Sequence, residues 1–349
     1  MKVVSIVGAR PQFIKLAPLS KEIRKFHKEI IIHTGQHFDE NMSKVIFKDL
    51  NIATPDYNLE INGGTHAEQT ARMMQSIEIV LLDEKPDVVI VFGDTNSTLA
   101  GSLAASKLRI KVIHVEAGLR SFNKSMPEEI NRIVSDHTSD YLFAPTATAI
   151  KNLENEGLSA KSFLTGDIMV ESVQIASSVA SSNDNLYNFK NYFLLTLHRP
   201  YNVDSPQKLG KIIKLFSSLN INVIFPVHPR TSNIIRNNNI TVGSNVKLID
   251  PVGYIDFIAL QSNADKIITD SGGIQKEAYI LRKPCITLRS ETEWIETVES
   301  GWNKLINIER NNAVVENIVE FSPSEKHPNL FGKNVSLKMV EIINGIDIG

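Results

Sequence analysis

Short runs of Val, Ile and Leu recur along this chain, with longer stretches of helical periodicity between them. Residues 3–7, 29–33, 88–92, 111–115 and 141–143 are apolar without clean alternation, the pattern of parallel strands buried on both faces. Between them, residues 65–82 place Met73, Met74, Ile77, Val80 and Leu81 on one helical face, and Thr65 with Glu68 has the spacing of a capping box. Pro127 followed by Glu128 and Glu129 marks another helix start, with proline in the first turn and two acids complementing the dipole. Strand and helix in alternation predict a doubly wound parallel sheet. A polar stretch rich in Ser and Asn, residues 180–191, interrupts the rhythm, which resumes with candidate strands at 192–197, 223–227, 246–249, 266–269 and 285–288. Two α/β domains facing each other across a cleft are expected, with the boundary near residues 166–173. A last helical pattern, roughly residues 334–343, either finishes the second domain or crosses back onto the first.

At 349 residues the length suits two domains. The 37 basic and 39 acidic side chains give a net charge of −2, which leaves no global basic field and argues against nucleic acid as a partner. No apolar run approaches the roughly 18 residues that a membrane span needs. Residues 1–7 read directly as a strand rather than as a signal-peptide core, so a cytoplasmic enzyme is expected. Cys285 is the single cysteine, which excludes an intrachain disulfide and any zinc site built on two cysteines. Neither G-x-G-x-x-G nor G-x-x-x-x-G-K-[ST] occurs, which argues against a tightly held dinucleotide and a Walker-type ATPase.

The remaining chemistry gathers at strand ends. The first strand runs into Gly8-Ala9-Arg10-Pro11-Gln12-Phe13-Ile14-Lys15, where open α/β sheets bind ligands. Arg10 and Lys15 are candidate cations for an anionic substrate; the plain alternative is a turn with two solvated cations. Gly93-Asp94-Thr95 and His114-Val115-Glu116-Ala117-Gly118 each end a strand, and Pro127-Glu128-Glu129-Ile130-Asn131-Arg132 opens a helix. Singly, Asp94 reads as an N-cap and Glu128 as a first-turn acid. Together Asp94, Glu116 and Glu128 are three carboxylates on one side of one sheet, suited to acid–base work once burial raises a pKa. His37, His198 and His228 also follow strands, but no H-E-x-x-H spacing accompanies them and no metal is expected. In the second domain, Thr269-Asp270-Ser271-Gly272-Gly273-Ile274-Gln275-Lys276-Glu277 brings serine and two glycines to a helix start. Free N–H groups there suit a diphosphate, and Glu277 suits ribose hydroxyls.

In this order, these motifs resemble the UDP-N-acetylglucosamine 2-epimerase family. The pieces that carry the likeness are residues 8–15, 34–37, 93–98, 114–120, 127–132, 270–277 and Thr292-Glu293, spanning Met1 to about Asn303. The resemblance implies two Rossmann-like, doubly wound α/β domains of GT-B type. Residues 1–168 would carry the catalytic carboxylates, 169–333 the UDP site, and 334–349 a helix crossing back to the first domain. It further implies a homodimer. The implied catalytic residues are Asp94, Glu116, Glu128 and His198. The implied substrate-binding residues are Arg10, Lys15, His37, His228, Arg230, Phe257, Ser271, Gly272, Gly273, Glu277 and Arg289. The finer spelling departs from the best-known members: Ala9 with Gln12-Phe13, His37-Phe38-Asp39, Asn123 before Met126-Pro127, Tyr201 without an acidic neighbour, and Trp294 where those members have arginine. It is similar to a branch that includes 2-epimerases of UDP-2,3-diacetamido-2,3-dideoxy-glucuronate. Asp39 stands where the best-known members use a glutamine to bind an activating second substrate.

The implied reaction is anti elimination of UDP to a 2-acetamidoglucal, then re-addition with the proton delivered to the opposite face of C2. It needs stabilisation of the departing diphosphate, acid–base groups on both faces of C2, and no cofactor. The alternatives are a hydrolysing 2-epimerase releasing UDP and N-acetylmannosamine, a GT-B glycosyltransferase, and a UDP-sugar-binding protein without turnover.

Overall fold

The computed structural model describes residues 1–36, 40–182, 189–308 and 314–347. The chain divides into two compact units, residues 1–175 with 330–349, and residues 176–329. The helix Met169–Ser182 begins on the first unit, where Ser172 donates to the Ile14 carbonyl at 2.8 Å. The helix Val335–Asn344 packs on the helix Arg10–Ile23 within that same unit.

The first unit is built on seven parallel strands among the described residues: β1 (Lys2–Val7), β2 (Lys28–His33), β3 (Tyr57–Asn58), β4 (Val88–Phe92), β5 (Lys111–Val115), β6 (Tyr141–Ala144) and β7 (Ser162–Leu164). Their order is β3-β2-β1-β4-β5-β6-β7, with Val4 opposite Val89 and Ile6 opposite Val91. The second unit repeats the scheme with β8 (Tyr192–Thr196), β9 (Asn222–Pro226), β10 (Val246–Ile249), β11 (Lys266–Thr269), β12 (Cys285–Thr287) and β13 (Asn303–Leu305) in the order β10-β9-β8-β11-β12-β13. Both sheets are doubly wound. The strand order reverses between β1 and β4 in one sheet and between β8 and β11 in the other, and the crevice at such a reversal is where open α/β sheets bind ligands. Strands β3, β7 and β13 are two or three residues long. Segments that short carry no readable periodicity, and the sequence pattern passes over them.

The apolar runs of the central strands are buried on both faces, as parallel strands covered by helices require, whereas the edge strand β10 leaves Lys247 exposed. In the first unit Val4, Ile6, Ile32, Val89 and Val91 form one cluster with Met73, Ile77, Val80 and Leu81. Those four come from the helix His66–Glu84, which starts at the expected capping box of Thr65 and Glu68. The helix Asn96–Lys107 lies close over the reversal point because Gly101 has no side chain. A Cβ there would meet Ile6 Cδ1 at 2.9 Å and Val91 Cγ1 at 3.0 Å. That close seating holds the helix N-terminus, with its Thr95 cap, directly after Asp94.

Candidate active site

In the first unit the loops leaving β1, β4 and β5 are tied to one another. The Gln12 side chain links two of them. Its Oε1 accepts from the N–H groups of Gly8 and Ala9 at 2.8 and 3.0 Å, and its Nε2 donates to the Phe92 carbonyl at 2.8 Å. Gly93 turns the chain with φ +63°, and a Cβ on it would lie 3.2 Å from Lys15 Nζ and 3.3 Å from Glu116 Oε2. Those two groups form a part-buried ion pair resting against the turn that presents Asp94. Lys15, expected as a cation for substrate, is thus engaged with Glu116. Glu116 itself has φ +74°, a left-handed conformation that costs a non-glycine residue free energy and clusters at functional sites.

The helix Pro127–Thr138 supplies the third carboxylate and a clamp. Arg132 donates from Nε and Nη2 to Asp94 Oδ2 at 2.9 and 2.6 Å, and from Nη1 to Glu129 Oε2 at 2.8 Å. Glu129 is buried and also accepts from the N–H groups of Ser121 and Phe122, both at 2.9 Å. Burial works against its charge, but those N–H groups, the Ser121 hydroxyl and Arg132 hold its carboxyl below the usual range. Glu128, its neighbour, is half-buried and makes no hydrogen bond or ion pair among the described residues. The two first-turn acids therefore divide: Glu129 builds the loop, and Glu128 remains available.

Beneath these loops lies a buried charged network. His114 donates from Nε2 to the Gly93 carbonyl at 2.6 Å and from Nδ1 to Asp136 Oδ1 at 2.7 Å. Asp136 also pairs with Arg120 at 2.7 Å, and Arg120 with Glu156 at 2.7 Å. His114 thus props the Gly93–Asp94 turn from below.

In the second unit the corresponding positions flank β8 and β11. The hydroxyls of Thr196 and Thr269, on those strands, lie 2.7 Å apart. Ser271 is the N-cap residue of the helix Gly272–Ile280 and makes no side-chain cap hydrogen bond; the first-turn N–H groups of such a helix have no intrahelical partner. Gly272 lies close under Glu293: a Cβ on it would fall 2.0 Å from Glu293 Oε1, so that carboxylate would have to shift. Gly273 faces open space apart from Ser271 Oγ at 3.9 Å. Glu277 is buried and accepts from Gln261 Nε2 at 2.6 Å. His198 follows β8 and lies with Nδ1 3.0 Å from Asp270 Oδ1.

Other candidates have different surroundings. His228 caps the helix Pro229–Asn237 through its Nδ1, which accepts from the Arg230 N–H at 3.3 Å. Arg230 pairs with Asp204 at 2.8 Å on the surface. Phe257 is half-buried against the β8–β11 cluster. Arg289 Nη1 lies 3.0 Å from Glu293 Oε2 without the alignment of a hydrogen bond. Arg10 is half-buried at the first position of its helix. His37 lies outside the described residues. The Cys285 thiol is buried and pushed up to about 12, which makes it inert as a nucleophile. Sequence reading passed over Gln12, Arg132, Asp136 and Asp270 as functional parts. Arg132 and Asp270 stood inside the motifs, but their partners lie 38 and 72 residues away.

Among the described residues no helix is long and apolar enough to cross a membrane. The family model for UDP-N-acetylglucosamine 2-epimerase matches residues 21–344. A protein of Methanococcus maripaludis named UDP-N-acetylglucosamine 2-epimerase homolog is 52% identical, over 99% of this chain and 100% of its own. The UDP-2,3-diacetamido-2,3-dideoxy-D-glucuronate 2-epimerase of Pseudomonas aeruginosa is 49% identical over 89% of each chain. The crystal structure of Methanocaldococcus jannaschii UDP-GlcNAc 2-epimerase in complex with UDP-GlcNAc and UDP superposes with a TM-score of 0.89. It is 44% identical and covers 99% of both chains.

Proposed function

The chain belongs to the UDP-N-acetylglucosamine 2-epimerase family, and from that premise we propose that it inverts C2 of UDP-N-acetylglucosamine, without hydrolysis, to give UDP-N-acetylmannosamine. One observation carries this reading: both sheets present chemistry at or next to their reversal points. Asp94 and Glu116 stand on the loops leaving β4 and β5, and His198, Ser271 and Gly272 stand on those leaving β8 and β11.

The C2 proton of an N-acetyl sugar is not adjacent to a carbonyl. It becomes acidic only as the C1–oxygen bond ionises. The electron pair of that bond leaves with the diphosphate, and the proton passes to a carboxylate as C1=C2 forms. Re-addition with protonation from the other face completes the inversion. Asp94, Glu116 and Glu128 serve as the acid and base groups. Ser271 and Gly272 hold the diphosphate at the helix N-terminus, with Arg10 and His198 stabilising it as it departs. Glu277 accepts from the ribose, and Phe257 lies at the uracil. No redox cofactor enters this route.

A second reading, a UDP-2,3-diacetamido-2,3-dideoxy-glucuronate substrate, is supported by the Pseudomonas relative and by Trp294, which stands in place of an arginine. Proton NMR in D2O with each sugar nucleotide separates the readings. Epimerisation with deuterium at C2 is expected for the true substrate. Release of UDP with a free sugar would mean hydrolysis. Absence of C2 exchange with both would defeat the epimerase reading. We also propose a homodimer, supported by the face of the helix His66–Glu84 that exposes Ile79 (68%) and Leu82 (56%) one turn apart.

A further inference from the structure

His198 is half exposed (54%), whereas the carboxylate it faces is fully buried (0%). Asp270 accepts from four donors. The His198 N–H reaches its two oxygens at 3.1 and 3.3 Å, the Arg199 N–H reaches Oδ2 at 3.1 Å, and Asn202 Nδ2 reaches Oδ2 at 2.9 Å. The fourth is His198 Nδ1, at 3.0 Å. Asn202 is itself oriented, since the same Nδ2 lies 3.4 Å from the Leu288 carbonyl. Burial opposes a charge here, yet the pairing with His198 and the hydrogen bonds from Asn202 and Arg199 hold the Asp270 carboxyl below the usual range. With Nδ1 turned inward to a carboxylate, Nε2 is the outward nitrogen of the ring.

We propose that Asp270 is a positioning residue that fixes the His198 ring with Nε2 outward and stabilises its imidazolium, so that Nε2–H can donate to the leaving diphosphate. The proposal rests on the epimerase reading of the site. As the C1–oxygen bond breaks, its electron pair stays on the diphosphate oxygen, the C2 proton goes to a carboxylate of the first unit, and His198 keeps its proton while donating a hydrogen bond. The placement of Asp270 between Thr269 and Ser271 means that one turn both orients the imidazole and begins the diphosphate-binding helix. A buried carboxylate behind an imidazole selects its tautomer and stabilises its cation, the logic of carboxylate–histidine pairs in other enzymes.

The test is a cycle of the variants Asp270→Asn, His198→Gln and the double variant. UDP-GlcNAc turnover is followed by NMR, UDP affinity by calorimetry, and the His198 ring by 15N NMR, its resonance assigned by its loss in His198→Gln. Asp270→Asn should lower kcat by about 10²-fold while UDP affinity stays within about twofold, and it should shift the His198 15N resonances toward the other tautomer. The double variant should be no slower than His198→Gln alone. Asp270→Glu should recover part of the loss. Additive losses, unchanged ring resonances, or UDP affinity falling in step with kcat would overturn the role. Should Asp270→Asn fail to fold, Asn202→Ala carries the same test: kcat several-fold lower with UDP affinity retained supports the role, and an unchanged kcat overturns it. A wild-type protein that binds UDP but exchanges no C2 proton defeats the epimerase reading itself. Active wild type with additive variants defeats only the role of Asp270.

Discussion

Asp94, Glu116 and Glu128 share a chemistry but not an environment. Asp94 is clamped by Arg132, Glu116 is half-buried and paired with Lys15, and Glu128 has neither partner. Asp94→Asn, Glu116→Gln and Glu128→Gln should each lower epimerisation by roughly the 10²–10⁴-fold typical of acid–base groups. UDP affinity by calorimetry should stay unchanged, and near-native turnover would strike that residue from the mechanism. Lys15 belongs to the same argument. Its removal leaves a half-buried carboxylate without its cation, and breaking a pair withdrawn from water is destabilising. Lys15→Met should therefore move the urea unfolding midpoint as well as abolish turnover, whereas Glu128→Gln should leave the midpoint in place.

At the scale of elements, helix starts do two different things. Thr65 caps the helix His66–Glu84 with a reciprocal box to Glu68. Thr65→Ala should cost about 1 kcal/mol in thermal melts and leave turnover intact; an activity loss beyond the stability loss would contradict this. The helix Pro127–Thr138 has no side-chain cap at Met126 and spends its first turn on Glu128 and on Glu129, which organises the loop before it. Both starts are written in sequence as acids near a helix N-terminus. Which acid builds a loop and which stays available was not written there, because it depends on where the Ser121 and Phe122 N–H groups point.

At the scale of the whole molecule, buried carboxylates set the acid limit. Asp136, Glu129 and Asp270 all have carboxyls held below the usual range. A lowered folded pKa contributes stability that is present above the unfolded value, about 4, and lost as pH falls through the folded value. Urea midpoints should accordingly hold near neutrality and drop below about pH 4. The gap between wild type and Asp136→Asn should narrow over that same interval, and a constant gap would exclude Asp136 from the effect. The proposed dimer is checked by light scattering. Ile79→Lys with Leu82→Lys should give a monomer, and an unchanged mass would place the interface elsewhere. By itself the sequence determined the two doubly wound sheets, because apolar runs and capping signals are local, and it marked the strand ends that hold the candidate side chains. Edge strands β3, β7 and β13 escaped it, being too short for periodicity. Only the tertiary structure decided the partners: Lys15 on Glu116, Arg132 on Asp94, His114 beneath Gly93, Asp270 behind His198. Each joins residues 21 to 101 positions apart, and such pairings are fixed by strand order, which brings loop ends together in space without leaving a mark on spacing along the chain.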